Sequence, residues 1–130
     1  VAIGIYPTLA AAYSVRGLFL LGVGMMNEIA RLNDLLRKTM LGGKWLLTSG
    51  VNALPEDQVA EVIMAVRTFN NFNADNDPYG ERDFGKIEIG GYKFFWKIDY
   101  LDKAMEFGSN DPSDPNVTER VLTVMCADEY

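Results

Sequence analysis

The sequence predicts one small α+β domain with the element order α-β-α-β-β-α. Three observations carry this. Apolar residues recur at helical spacing in residues 27–42 and again in residues 55–69. Gly90-Gly91 joins two runs of alternating apolar residues, the pattern of an antiparallel hairpin. The chain has 130 residues and is 48% hydrophobic, which suits one compact core and is too apolar for a disordered chain.

In chain order, Asn27 is the expected N-cap of the first helix, and Glu28 puts a negative charge at the positive end of its dipole. Ile29, Leu32 and Leu36 form the apolar face, Asp34 and Lys38 form an i,i+4 pair, and Gly42-Gly43 is the expected stop. The short apolar run KWLLT (residues 44–48) reads as a strand. Pro55 opens a second helix, with Glu56 and Asp57 in its first turn and Val59, Val62, Ile63, Val66 and Phe69 as the buried stripe. In the hairpin, pairing Ile89 with Tyr92 sets Ile87 opposite Phe94 and Glu88 opposite Lys93. The second hairpin strand runs on through Trp96, Ile98 and Tyr100, and KWLLT is the expected partner of its far half. Asp114 and Pro115 are expected to start a final helix with Val117, Val121, Val124 and Met125 buried, although RVLTVMC is also rich in β-formers.

Residues 1–24 stand apart. Arg16 is their only charged residue and, with Pro7, interrupts an otherwise apolar leader. Three readings stay open: a leader outside the functional domain of residues 25–130, a packed N-terminal segment, or a membrane anchor. A central Arg and an interrupted apolar run weigh against membrane insertion, and a basic residue in the middle of the run does not fit a secretory signal.

Composition excludes several chemistries. There is no histidine and a single cysteine, Cys126, so histidine triads and dyads, histidine-ligated metals and an internal disulfide are all ruled out. The net charge of −6 argues against a broad grip on nucleic-acid phosphates. No lysine has an acidic residue two positions before it, the arrangement common in metal-dependent nucleases, and Gly42-Gly43-Lys44 lacks the rest of a phosphate loop. The asparagine of Asn116-Val117-Thr118 fits a glycosylation sequon, which has no force where the sequence shows no convincing secretory signal.

The remaining candidate residues lie in two places. Asp75, Asp77, Tyr79, Glu81 and Asp83 sit in the polar stretch of residues 70–83. Asp75, Asp77, Glu81 and Asp83 fall on positions of a calcium-binding loop, but Tyr79 replaces one oxygen ligand and Lys86 stands where the bidentate Glu belongs. Caps on the turns leading into the hairpin are therefore expected, and no metal or cofactor. Phe95, Lys97 and Asp99 share the strand face opposite Trp96, Ile98 and Tyr100, where an exposed ion pair is the plain expectation and Phe95 is either covered or a contact residue.

The runs LTSGVNALPED, FNADNDPYGERDFG, FFWKIDYLD and GSNDPSDPNVTERVLTVM resemble a bacterial family known as domain of unknown function 3768, over about residues 27–130. The resemblance implies a small bacterial protein of the kind often carried on mobile or accessory DNA, and it brings no activity or catalytic residue. Members often carry His where this chain has Arg82. Two functions are weighed. One is an interaction or inhibitor module in the cytoplasm, binding a protein with a basic surface and not membrane or nucleic acid. The other is a small metal- or carboxylate-dependent enzyme using the 75–83 loop with Lys97 and Asp99.

Overall fold

The computed structural model describes residues 2–6 and 27–130. Its elements are β1 (Ala2–Tyr6), α1 (Glu28–Thr39), β2 (Lys44–Thr48), the single turn α2 (Ser49–Asn52), α3 (Glu56–Arg67), β3 (Phe84–Ile89), β4 (Tyr92–Leu101), β5 (Glu119–Cys126) and a closing 3-10 turn, Ala127–Glu129. The strands form one mixed sheet in the order β1-β2-β5-β4-β3. The expected α+β class holds. Of the leader, residues 2–6 pair antiparallel with β2, and the remainder lies outside the described residues.

The helix ends follow local chemistry. Asn27 caps α1 as expected, its side-chain oxygen accepting the Ala30 N–H at 2.7 Å. The last helical residue is Thr39, three before Gly42; the C-cap Met40 still donates its N–H to the Leu36 carbonyl at 2.8 Å and then turns the chain away with φ +64°. Pro55 is the N-cap of α3, and its carbonyl accepts from Gln58 and Val59.

The hairpin pairs as the sequence implies: Ile89 with Tyr92, Glu88 with Lys93 and Ile87 with Phe94. Gly90 (φ +59°) and Gly91 (φ +81°) supply the left-handed turn that joins them. Gly85 serves a different need. A Cβ at that position would run into the Trp96 indole, so only a bare Cα lets the ring lie flat against β3.

Two expectations fail together. The segment starting at Glu119 is no helix but the strand β5, at the centre of the sheet, parallel to β2 and antiparallel to β4. β2 therefore pairs with β5, and it is β5, not KWLLT, that takes β4 from Phe94 to Leu101. A strand covered on both faces is apolar almost throughout, which makes its pattern hard to tell from a helical stripe. Asp114 does cap, but it caps a turn, accepting the Asn116 N–H at 2.9 Å.

The core lies between the helices and one face of the sheet. Leu36, Val51, Val62 and Val66 pack on Trp45, Leu47, Phe94, Trp96, Ile98, Leu122 and Val124. Trp45 donates its indole N–H to the Leu36 carbonyl at 3.1 Å, so its bulk is buried with the polar atom satisfied. On the opposite face Phe95 lies across from Met125, stacked on Phe84 at 5.5 Å and tilted against Tyr130 at 5.1 Å. No helix among the described residues is long and apolar enough to cross a membrane.

Candidate functional site

α1 is unusual in burying polar side chains: Asn33, Asp34 and Arg37 all point into the fold. They start two networks, one from Asp34 and Arg37 and one from Asn33. Arg37 is fully buried and donates through Nη1 to the carbonyls of Val66, Arg67 and Phe69, at 3.1, 3.1 and 2.8 Å. The first two carbonyls are in the last turn of α3 and the third lies two residues past its end, where the helix has few backbone donors left to offer. Arg67 returns the favour, donating through Nε and Nη2 to the Lys38 carbonyl at the end of α1. Each helix thus caps the other with an arginine from its last turn.

Asp34 balances this cluster. Its Oδ1 meets Arg37 Nη2 at 2.9 Å, its Oδ2 meets Arg82 Nη1 at 2.9 Å, and Lys38 Nζ lies 3.7 Å away. Both Arg37 and Arg82 set their guanidinium carbons over the Phe72 ring, at 5.4 and 5.3 Å. Burial pulls the Arg37 pKa down, and the hydrogen bond and charge of Asp34 push back. Arg82 reaches Asp34 from a backbone φ of +56°, held by its own N–H on Asp77 Oδ1 at 3.0 Å. Arg37, Lys38, Arg67 and Arg82 line one open cavity of about 360 Å³, with Phe69 and Phe72 in its wall.

The second network runs from Asn33. Its amide donates to the Glu81 carbonyl at 2.9 Å and to the Tyr100 hydroxyl at 2.7 Å, while its oxygen accepts from Arg120 Nε at 2.9 Å. Tyr100 passes its proton bond on to Asp83 Oδ2 at 3.1 Å. The Arg120 guanidinium lies over the Tyr100 ring and also donates to the Pro112 carbonyl. Burial raises the Asp83 and Glu81 pKa values, against the Tyr100 hydrogen bond that favours their ionised forms. Burial, then the Asp83 charge, pushes the Tyr100 phenol well up, so Tyr100 is a locked donor and no base. Burial lowers Arg120 to about 10, which leaves it cationic at neutral pH.

The residues expected from sequence divide between these surroundings. Glu81 and Asp83 join the Tyr100 network, and Asp77 holds the Arg82 backbone. Asp75 and Tyr79 face solvent, with Tyr79 83% exposed. The turn-capping role is carried largely by Asn73, whose Oδ1 accepts from Asp75 and Asn76 N–H groups. Phe95, Lys97 and Asp99 lie on the other face of the sheet, where Lys97 and Asp99 form an ion pair of 3.0 Å with both side chains nearly half exposed. The loop carboxylates bonded to Tyr100 and the Lys97–Asp99 pair therefore do not share a site. Sequence reading missed Asn33, Arg37 and Arg120. Arg37 had a visible signal, its i,i+3 spacing from Asp34, whereas Arg120 had none once its segment was read as helix.

The family model for protein of unknown function (DUF3768) matches residues 47–129. The chain is a DUF3768 protein. The match starts inside β2, so it takes in Arg67, Arg82, Tyr100 and Arg120, while Asn33, Asp34, Arg37 and Lys38 on α1 precede it. Both networks of this DUF3768 chain thus join the matched region to a helix outside it. No curated protein and no solved structure matches the chain.

Proposed function

We propose that this protein is a binding module that presents the loop of residues 75–83 to a macromolecular partner with a basic surface. The observation that carries the reading is Tyr79, which exposes 83% of its surface at the tip of a loop that is otherwise pinned. Asn27 holds the Gly80 carbonyl at 3.1 Å, Asn33 holds that of Glu81, and Asp77 holds the Arg82 N–H. An aromatic ring held out in water by an ordered backbone loses little entropy on binding, which is why such tyrosines anchor interfaces. Asp75 stands exposed on the same loop and supplies a charge that would speed association with a cationic surface.

One observation favours the alternative, a carboxylate-dependent enzyme: Asp83 and Glu81 both have raised pKa values near a phenol. Against it, the Asp83 carboxylate accepts from Tyr100 and the phenol is tied to Asn33, which leaves neither group disposed toward a substrate.

The test is site-specific photo-crosslinking in the host cell, with the reactive amino acid placed at Tyr79 or, as a control, at exposed Glu61 on α3. The expected result is a discrete protein adduct from position 79 alone, weakened by Asp75→Lys. Equal adducts from both positions, or none from position 79, would refute the reading.

A further inference from the structure

We propose that the cavity between the C-terminal ends of α1 and α3 binds a small organic ligand through a phosphate group. This does not depend on the role of the Tyr79 loop. The argument starts from charge. In a chain of net charge −6, four cationic side chains, Arg37, Lys38, Arg67 and Arg82, line one cavity, and among the described residues no carboxylate lines it. Asp34, behind the wall, is the carboxylate that pairs with three of them. The two helix C-termini add roughly half a negative charge each. One carboxylate and two helix ends offset about two of the four cations, and about two positive charges remain. That excess matches a phosphate monoester dianion better than a carboxylate.

Structural use of the cations does not remove this excess. Arg37 Nη1 and Nη2 are committed to carbonyls and to Asp34, so Arg37 supplies field rather than contact. Lys38 is different: its side chain is 56% exposed and its ion pair is long, at 3.7 Å. Arg82 has Nη1 on Asp34 with its side chain 36% exposed, and Arg67 gives Nε and Nη2 to a single carbonyl. These three can turn donors toward an anion without breaking the fold. Arg82 is also pre-set for it, because Phe72 and Asp34 fix its guanidinium.

Size sets the rest of the ligand. A cavity of about 360 Å³ lies in the range of small-molecule sites, roughly 300–1,000 Å³, and exceeds what a bare ion fills. Phe69 and Phe72 give its wall an apolar portion that an organic body can cover.

The proposal is tested by calorimetric titration of the full chain with phenyl phosphate, inorganic phosphate and benzoate at low ionic strength. Phenyl phosphate is expected to bind saturably at about 1 mM or tighter. Lys38→Gln, at an exposed position, and Arg67→Gln, which also gives up the two bonds to the Lys38 carbonyl and is compared only if circular dichroism shows it folded, are each expected to weaken it by about threefold or more, the size of one partly screened charge contact. Lys93→Gln, the same charge change on the distant hairpin, is expected to leave it unaltered. Asp34→Asn, provided circular dichroism shows it folded, is expected to tighten binding by removing the competing carboxylate. Absence of saturable binding, an equal loss with Lys93→Gln, or benzoate binding as tightly as phenyl phosphate would overturn the phosphate site. Inorganic phosphate binding as tightly as phenyl phosphate would overturn the organic body.

Discussion

Tyr100→Phe removes one oxygen, creates no cavity, and cuts the Asn33–Tyr100–Asp83 chain at its middle. Two hydrogen bonds disappear. Asn33 loses one of two acceptors for its amide, a neutral bond worth about 1 kcal/mol. Asp83 loses a donor to a half-buried carboxylate, worth about 1.5–3 kcal/mol when the group is ionised. The expected loss at pH 7 is therefore about 3 kcal/mol, or roughly 10 °C in Tm for a domain of this size. The sign of the pH dependence follows from Asp83. Its pKa in the fold is already raised above the ordinary 3.8 by burial, and the Tyr100 bond is what opposes that rise. A raised carboxylate favours the fold most below 3.8 and loses that contribution as pH climbs through the folded value. Without Tyr100 the folded value climbs further, so the deficit of the variant is larger at pH 7 than at pH 4, where Asp83 lies closer to protonation in both proteins. Urea unfolding of parent and variant at both pH values measures it, provided the m-value is unchanged. A deficit under 1 kcal/mol at pH 7, or one that is the same at both pH values, would refute the network as described.

Three further outcomes are expected. Gly85→Ala should destabilise by about 1–3 kcal/mol, because the new methyl displaces the Trp96 indole, and the near-ultraviolet circular dichroism of tryptophan should change with it. A chain starting at Met26 should keep the helices and the hairpin and lose less than about 10 °C in a thermal melt; a larger loss or insolubility would make the leader part of the core. Millimolar calcium, magnesium or manganese should move Tm by no more than about 2 °C, since Asp77 and Asp83 already accept hydrogen bonds from Arg82 and Tyr100, and a dedicated site at a hundredfold excess would give about 2.7 kcal/mol.

Local signals in the sequence correspond to local structure. The Asn27 cap, the apolar stripe of α3 and the residue-by-residue register of the hairpin are each decided within a few positions. β5 is where this fails. Val121, Val124 and Met125 sit at spacings that serve a helix as well as a strand buried on both faces, and only the partners on either side settle which. The pairing of β2 was unreadable for the same reason, because its neighbour is a strand more than seventy positions away.

The polar sites were hidden by a different property, the distance in sequence between their parts. Asp34 and Lys38 are legible as a helical pair, and that pairing suggests nothing more than an exposed i,i+4 contact. What turns Asp34 into a buried hub is Arg82, which arrives 48 residues later from a loop that reads as acidic. The same loop shows the effect from the other side. Composition makes residues 70–83 look like a concentration of negative charge, yet the fold sends Asp83 and the Glu81 carbonyl inward to Tyr100 and Asn33 and turns Arg82 toward α1. Net charge is a property of the whole chain, while a binding site responds to the few charges within a Debye length of about 10 Å. A protein of net charge −6 can therefore hold a cationic cavity, and α1, through Asn33 on one side and Asp34, Arg37 and Lys38 on the other, is the element that separates the two signs.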